Sequence, residues 1–410
     1  MLGLIIFVLL VAIHGVALKT GKEHEVVHIK YPDILMVGAM KAGTTSLSNL
    51  MRSNSAICDY GEKEKHFFNG GDYSHNYEAS VAKYLAEFKG CKKTQLTMDS
   101  TPGYSVEPDV VDRMRETYTP DVLDAKKFLF LVREPVARHY SEYQMEVRLC
   151  IDVNEDLKLK NSIEWRLWRH ERSCENVMTD FSPKKNDPAE FSKGYNKGAK
   201  ILTYHQWCLS SHGKLELRRG HYKEVIERYL HFVRQDQLFL VNFDVLISQT
   251  ARVMVGMNDF LNLQGTSRWG NDTTLPVPKK SATNVKEAGL EFTSIDCTTV
   301  RMLQKYFIKI NNGSVDEWID KLTSSPTAAR GQPPFGAFKS PLLKCNMPKT
   351  NDTVALKLLY PAETWTFTED VMANPVLHHI SHKSSKPKGG WRGLRSSVSD
   401  EDTEGDLERK

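Results

Sequence analysis

Residues 34–46 read Ile34-Leu35-Met36-Val37-Gly38-Ala39-Met40-Lys41-Ala42-Gly43-Thr44-Thr45-Ser46. Four apolar residues suited to a buried strand run into a turn bounded by glycines. The turn carries one lysine and opens into Thr-Thr-Ser, after which Leu47, Leu50 and Met51 share one face of a helical pattern. The stretch predicts a strand, an anion-binding loop and a helix start. Unpaired N–H groups and the positive end of the helix dipole would face a phosphate there. The position of the lysine decides which phosphate chemistry fits. Loops that hold nucleoside triphosphates place lysine directly after the last glycine, as Gly-Lys-Ser/Thr. Lys41 instead precedes Gly43 by two residues, a poor match to ATP and GTP sites.

Strand-like runs recur at Gln95–Asp99, Lys127–Val132 and Gln237–Phe243, with helical patterns between them. Tyr140, Tyr143 and Val147 form one apolar face, Tyr222, Val225, Ile226, Tyr229, Leu230 and Val233 a second, and Val300, Leu303, Phe307 and Ile310 a third. Strands alternating with helices predict an α/β three-layer fold, a central parallel sheet flanked by helices. Ligands in such folds sit beyond the carboxyl ends of the strands.

A second anion motif closes the strand Lys127–Val132: Arg133-Glu134-Pro135-Val136-Ala137-Arg138-His139-Tyr140-Ser141-Glu142-Tyr143. Pro135 suits the first turn of the next helix. Arg133 would emerge at the strand tip, where a guanidinium can make paired bonds to a phosphate, with Ser141 adding a hydroxyl two turns on. Taken alone, Arg133 reads equally well as a surface Arg–Glu pair on an ordinary turn. Beside the loop at 38–46 the phosphate reading prevails.

Together these motifs resemble the 5′-phosphosulfate loop and the 3′-phosphate motif of sulfotransferases. The second motif of that family reads Arg-x-Pro-x-x-Arg-x-x-Ser-x-Tyr, and Arg133, Pro135, Arg138, Ser141 and Tyr143 match it position for position. The resemblance covers about Tyr31 to Lys321. It implies a P-loop-like fold and 3′-phosphoadenosine 5′-phosphosulfate as donor. It further implies that Lys41, Ala42, Gly43, Thr44, Thr45 and Ser46 hold the 5′-phosphosulfate, and that Arg133 and Ser141 hold the 3′-phosphate. No metal is implied, because cationic side chains and backbone amides supply the electrostatics.

Lys63-Glu64-Lys65-His66-Phe67-Phe68 resembles a segment of Golgi glycosaminoglycan sulfotransferases in which the glutamate is the catalytic base. A sugar hydroxyl attacking sulfur must lose its proton, and a carboxylate in hydrogen-bond reach can take it. Lys41 would offset charge on the bridging oxygen as the nucleotide leaves. Glu62 is the rival carboxylate; the aromatic pair after His66 favours Glu64 by anchoring that end of the segment. His66 can orient the base, act as base, or merely pack. Asp99-Ser100-Thr101-Pro102-Gly103-Tyr104 departs from the Glu-Lys-Thr-Pro-x-Tyr usual in heparan-type enzymes, since Ser100 replaces the lysine. Thr101 and Pro102 fit a cleft lining or a plain strand-exit turn. Arg219-Gly220-His221-Tyr222 resembles a Gly-x-Tyr helix of the same family. Lys279-Lys280-Ser281-Ala282-Thr283-Asn284 resembles the nucleotide-covering loop of enzymes acting on chondroitin N-acetylgalactosamine 4-sulfate. Lys279 and Lys280 are thus candidates for nucleotide or acidic-substrate contact, or a solvated basic loop.

The 410-residue chain has a net charge of +4, too mild for a general nucleic-acid binder but compatible with a local groove for an acidic glycan. Residues 2–18 form an apolar run that reads as a signal peptide or a short signal anchor, hence a membrane anchor if uncleaved. Sequons at Asn271, Asn312 and Asn351 agree with a secretory, Golgi-type address. Seven cysteines without Cys-x-x-Cys spacing argue for disulfides rather than zinc, and the odd count leaves at least one out of internal bridges. The expected organisation is a leader at 1–18, a linker at 19–30, a sulfotransferase domain at 31–322, an extension with little core at 323–380 and a disordered tail at 381–410. Residues 173–198 read as a long polar loop.

Three functions compete. The first is sulfuryl transfer to an acidic glycan, chondroitin or dermatan before heparan, with tyrosylprotein sulfation as a variant. The second is a kinase or nucleotide triphosphatase, which lacks its Gly-Lys-Ser/Thr. The third is an inactive glycan-binding protein on the same fold, disfavoured by the presence of Lys41, Arg133, Ser141 and Glu64.

Overall fold

The computed structural model describes residues 30–59, 63–70, 77–151, 172–179, 201–263, 296–311, 313, 315–333, 335 and 338. Five parallel strands form one sheet in the order β2-β3-β1-β4-β5: β1 Ile34–Gly38, β2 Ile57–Cys58, β3 Leu96–Asp99, β4 Lys127–Val132 and β5 Leu238–Asn242. All five residues of β1 and of β5 are buried, and β4 is buried after Lys127. Such continuous apolar runs are what a sheet covered on both faces requires. Placing β1 in the middle makes its carboxyl end the point where the strand order reverses, with β3 on one side and β4 on the other. Ligands of open parallel sheets bind at that crevice.

Twelve helices are used below: α1 Thr44–Arg52, α2 Tyr77–Ala86, α3 Asp109–Thr117, α4 Pro120–Asp124, α5 Pro135–Ile151, α6 Tyr204–Leu209, α7 Ser211–Leu217, α8 Tyr222–Leu230, α9 Phe243–Ser248, α10 Thr250–Leu261, α11 Cys297–Ile310 and α12 Val315–Thr323. The expected faces are largely the buried ones: Leu47, Leu50 and Met51 on α1, Tyr222, Val225, Ile226 and Tyr229 on α8, and Val300, Leu303 and Phe307 on α11. Ile310 differs. It ends α11 and is 36% exposed, because the face has rotated off the core at the last turn. Local chemistry starts several of these helices. The Glu134 carboxylate accepts the N–H groups of Val136 and Ala137 beside Pro135, Asn242 caps α9, and Asp296 caps α11.

Three further expectations change. Phe243 does not finish β5 but opens α9. The described part of the supposed loop at 173–198 is structured: residues 172–177 are helical, Met178 pairs antiparallel with Ile201, and a Cys150–Cys174 disulfide ties the segment to α5. Ala329 and Phe335, placed in the extension by sequence, are buried in the main core, and Gln332 hydrogen-bonds both Leu238 and Leu240 of β5. A second disulfide joins Cys58 to Cys91, Cys297 is also disulfide-bonded, and Cys208 is a buried free thiol. Contacts divide the chain after Pro348, and the second unit lies outside the described residues. So do residues 2–18, Glu62, Lys279, Lys280, Asn271, Asn312, Asn351 and residues 381–410.

Candidate active site

The loop after β1 has the shape its sequence predicts. Ala39 extends the strand pairing by donating to Leu131 on β4, and the chain then turns through Lys41 at φ 67° and Gly43 at φ 91°. Gly43 is required twice over: its φ is left-handed, and a Cβ there would lie 2.6 Å from the Phe243 ring. Gly43 is also the N-cap of α1, so no side chain caps the helix, and its first turn carries no acidic residue. The N–H groups that open α1 therefore face an end that favours an anion. Burial brings Lys41 down to about 8; Glu142 opposes this, and Arg148, Arg133 and Arg138 add to it. A lysine so close to other cations gains most from a bound anion.

Arg133 stands at the tip of β4. Its guanidinium donates to the Lys41 carbonyl at 3.1 Å and stacks over the Phe243 ring at 4.6 Å. The Tyr222 hydroxyl grips the same residue's backbone, donating to the Arg133 carbonyl at 2.8 Å and accepting its N–H at 3.3 Å. Burial lowers the Arg133 pKa from its ordinary value. Ser141 is half-buried on α5, two turns after Pro135. Arg138, which also matches the motif, is fully buried. It pairs with Glu142 and donates to the Glu216 carbonyl at 2.7 Å, so it serves the core.

On the other side of β1, Glu64 and His66 face each other at 3.6 Å, an ion-pair distance beyond hydrogen bonding. Lys63 also pairs with Glu64. Burial pushes the Glu64 carboxyl up, yet His66 and Lys63 outweigh it and hold the pKa at about 2. The Glu64 carboxylate raises the His66 pKa above its ordinary value. The imidazole also contacts the Asn69 side-chain oxygen at 3.2 Å. Both Glu64 (φ 67°) and His66 (φ 54°) are left-handed.

Asp99, fully buried at the end of β3, fixes this segment. One carboxylate oxygen accepts from Thr101 at 2.6 Å, and the other from Tyr84 at 2.8 Å and Tyr104 at 2.9 Å. The same hydroxyls then accept backbone N–H groups: Thr101 that of His66, and Tyr104 those of Phe67 and Phe68. Phe67 and Phe68 are buried and pack on Tyr84, as the sequence suggested for the anchoring pair. Thr101 is thus a support for the segment. The short 3₁₀ turn Pro102–Ser105 bridges the two halves of the crevice. Ser105 packs on Gly38 at the base of the lysine loop, while Gly103 packs on Asn69 and His66.

Lys41 and Arg133 are brought into direct contact, as are Glu64 and His66, and the ends of β1, β3, β4 and β5 all supply residues. Tyr222, Phe243, Asp99, the buried Glu142 and Glu216 and the half-buried Arg219 are not among the site residues expected from sequence. The Gly-x-Tyr pattern before α8 marked Tyr222, but its partner, Arg133, is 89 positions away. A separate groove of about 700 Å³, lined by Lys127, Arg234, Asp236, Asp259 and Arg330, lies at the amino-terminal ends of β4 and β5 and holds none of these residues.

Residues 31–329 match the family model described as the sulfotransferase domain. The chain belongs to the sulfotransferase family. Among curated proteins, it is 22% identical over 272 residues to the membrane-associated sulfotransferase kil1 of Dictyostelium discoideum, covering 57% of this chain and 56% of that protein. It is 23% identical over 250 residues to heparan sulfate glucosamine 3-O-sulfotransferase 5 of Mus musculus, covering 60% and 59%. A shorter stretch of 114 residues is 32% identical to the human heparan sulfate glucosamine 3-O-sulfotransferase 6, covering 28% of this chain and 30% of that protein. The aligned regions thus span less than two thirds of these relatives. A solved sulfotransferase from Alicyclobacillus acidocaldarius aligns over 71% of this chain and all of its own, at 18% identity and a TM-score of 0.40.

Proposed function

We propose that this protein transfers a sulfuryl group from 3′-phosphoadenosine 5′-phosphosulfate to a hydroxyl of an acidic glycosaminoglycan in the lumen of the secretory pathway. One backbone observation carries the reading. Among the described residues four non-glycine positions have positive φ, and three of them are Lys41, Glu64 and His66, the residues the motifs nominate for chemistry. Left-handed backbone costs such residues about 1–2 kcal/mol each, and it persists where the surrounding structure imposes it, most often at active sites.

The donor set fits the residues present. The uncapped start of α1 and the depressed Lys41 suit the 5′-phosphosulfate, with Thr44, Thr45 and Ser46 contributing N–H and hydroxyl groups. Arg133 and Ser141 suit the 3′-phosphate. The bound donor supplies an activated sulfuryl group on a phosphate leaving group. Lys41 offsets the charge that grows at the bridging oxygen. Glu64, ionised at neutral pH, accepts the proton of the attacking hydroxyl, and His66 holds the carboxylate in place. Lys279 and Lys280 are assigned to the nucleotide phosphates or the acidic substrate.

The acceptor is an acidic glycan. The sequence favoured chondroitin or dermatan, whereas several relatives are named for heparan sulfate, so both classes belong in the test. The leader at 2–18, the three sequons and the disulfides support an oxidising lumen. Labelled donor should be offered chondroitin, dermatan, heparan and a tyrosine peptide, with disaccharide analysis of the product. Label in a glycan is the expected result; label in the peptide alone, or in none of them, overturns the proposal.

A further inference from the structure

Beneath the lysine loop lies a cluster of buried charge that the proposed chemistry does not use. Glu142 on α5 is 1% exposed, and Glu216 on α7 is 5% exposed. Arg138 pairs with Glu142 at 3.4 Å, and its other amino group donates to the Glu216 carbonyl. The Arg138 Nε is buried without a hydrogen-bond partner. Arg219, in the turn after α7, pairs with the Glu216 carboxylate and reaches the Met40 sulfur at 3.4 Å. The cluster therefore touches the loop at the residue before Lys41. It contains two guanidinium groups and two carboxyl groups, and Lys41 is the further cation within electrostatic reach of Glu142.

The two carboxyls are held differently. Arg219 secures Glu216 through two contacts. Among the described residues Glu142 receives only the long bond from Arg138. Burial and the neighbouring Glu216 push the Glu142 carboxyl up to about 7, against the pull of Arg219, Arg138 and Lys41. The charged groups that act on Glu142 thus come from its own helix, from α7, from the turn after it and from the lysine loop.

We propose that Glu142 is a positioning residue for the donor loop: a buried carboxyl that shares the Lys41 charge and takes up a proton when an anion at the loop claims the Lys41 ammonium. The inference rests on the reading of the loop as the donor site. An anion paired with Lys41 both offsets one of the cations that favour an ionised Glu142, beside Arg219 and Arg138, and adds negative charge nearby, so protonation becomes more favourable. Glu142 then stays in the buried cluster as a neutral hydrogen-bonding group.

The test uses adenosine 3′,5′-bisphosphate, the product nucleotide, with the full chain. Difference infrared spectra at pH 7 should show a carboxylic-acid band that rises on binding and shifts in deuterated water. Calorimetry in two buffers of different ionisation enthalpy should show net proton uptake on binding in the wild-type protein that is diminished in Glu142→Gln. The band should be lost in Glu142→Gln and kept in Glu142→Asp. Nucleotide binding to the wild-type protein without the band overturns the inference and leaves the donor reading standing. A band that persists in Glu142→Gln also overturns it. Absence of nucleotide binding overturns both. Because the wild-type spectrum alone can refute the inference, a variant that fails to fold does not rescue it.

Discussion

The guanidinium of Arg133 donates to the backbone carbonyl of Lys41 at 3.1 Å. The tip of β4 thus holds the backbone of the loop that follows β1 through one side chain. A charged hydrogen bond of this kind contributes about 1.5–3 kcal/mol. Arg133→Ala should lower affinity for adenosine 3′,5′-bisphosphate about 10- to 100-fold by calorimetry. Arg133→Lys should recover only part of that loss, because a point charge cannot hold the Lys41 carbonyl, stack on Phe243 and fork around a phosphate at once. Wild-type affinity in Arg133→Ala would remove Arg133 from the site.

Gly43 gives a steric test of the same loop. An alanine there meets the Phe243 ring at 2.6 Å and must adopt φ 91°. The expected cost is about 1–3 kcal/mol of strain, borne by the loop rather than the core. Gly43→Ala should weaken nucleotide binding at least about tenfold and lower the thermal unfolding midpoint by about a few degrees. Trimming the ring in Gly43→Ala/Phe243→Leu should recover part of the affinity, since it removes the contact but not the φ penalty. Its absence would place the whole effect in the backbone.

For the opposite half of the crevice the prediction concerns pH. Glu64 titrates at about 2 and is ionised through the working range. His66 titrates above its ordinary value because it faces that carboxylate. As pH rises through the His66 pKa the imidazole becomes neutral, Glu64 loses a cationic partner and its basicity rises. Sulfuryl transfer should therefore increase with pH through a midpoint above the usual histidine value, and His66→Asn should flatten that profile. Glu64→Gln should reduce turnover by about 10²- to 10⁴-fold with nucleotide affinity within about threefold of wild type. A fully active Glu64→Gln would move the base elsewhere. The stability linkage of Glu64 has the same sign. A depressed carboxylate contributes above its unfolded pKa of about 4.3, and that contribution is lost as pH falls toward about 2.

The parts of the site legible in the sequence are those written in one contiguous stretch. β4 occupies Lys127–Val132 as expected, because an apolar run bounded by charge leaves little choice of register. The lysine loop could be read because its glycines and its helix start are local. β2 leaves no signal in the sequence because two residues, Ile57 and Cys58, give no periodicity. Phe243 reads as the end of a strand because its apolar character hides the capping role of Asn242 just before it. Arg138 matches the motif by spacing alone, and spacing does not distinguish a guanidinium aimed at a ligand from one buried against Glu142 and Glu216. The pairing of Arg138 with a carbonyl 78 positions away, and of Arg219 with Met40 179 positions away, belongs to the tertiary fold and leaves no local pattern.

Asp99 supplies the final prediction, because it shapes the crevice without contacting either ligand in the proposed chemistry. Three hydroxyls converge on its carboxylate, and two of them pass the constraint on to the backbone N–H groups of His66, Phe67 and Phe68. Asp99→Ala strands the Tyr84, Tyr104 and Thr101 hydroxyls in a dry core, at about 1–3 kcal/mol for each group left unpaired. The protein should lose at least about 3 kcal/mol in denaturant unfolding. Asp99→Asn keeps one acceptor oxygen and the volume, so its loss should be about half as large. In that milder variant the Glu64–His66 segment is less firmly held while the lysine loop is untouched. Turnover should fall several-fold, and affinity for adenosine 3′,5′-bisphosphate should stay at the wild-type value. Equal losses in turnover and nucleotide affinity would mean that Asp99 supports the whole crevice through the Pro102–Ser105 bridge rather than the Glu64 half alone.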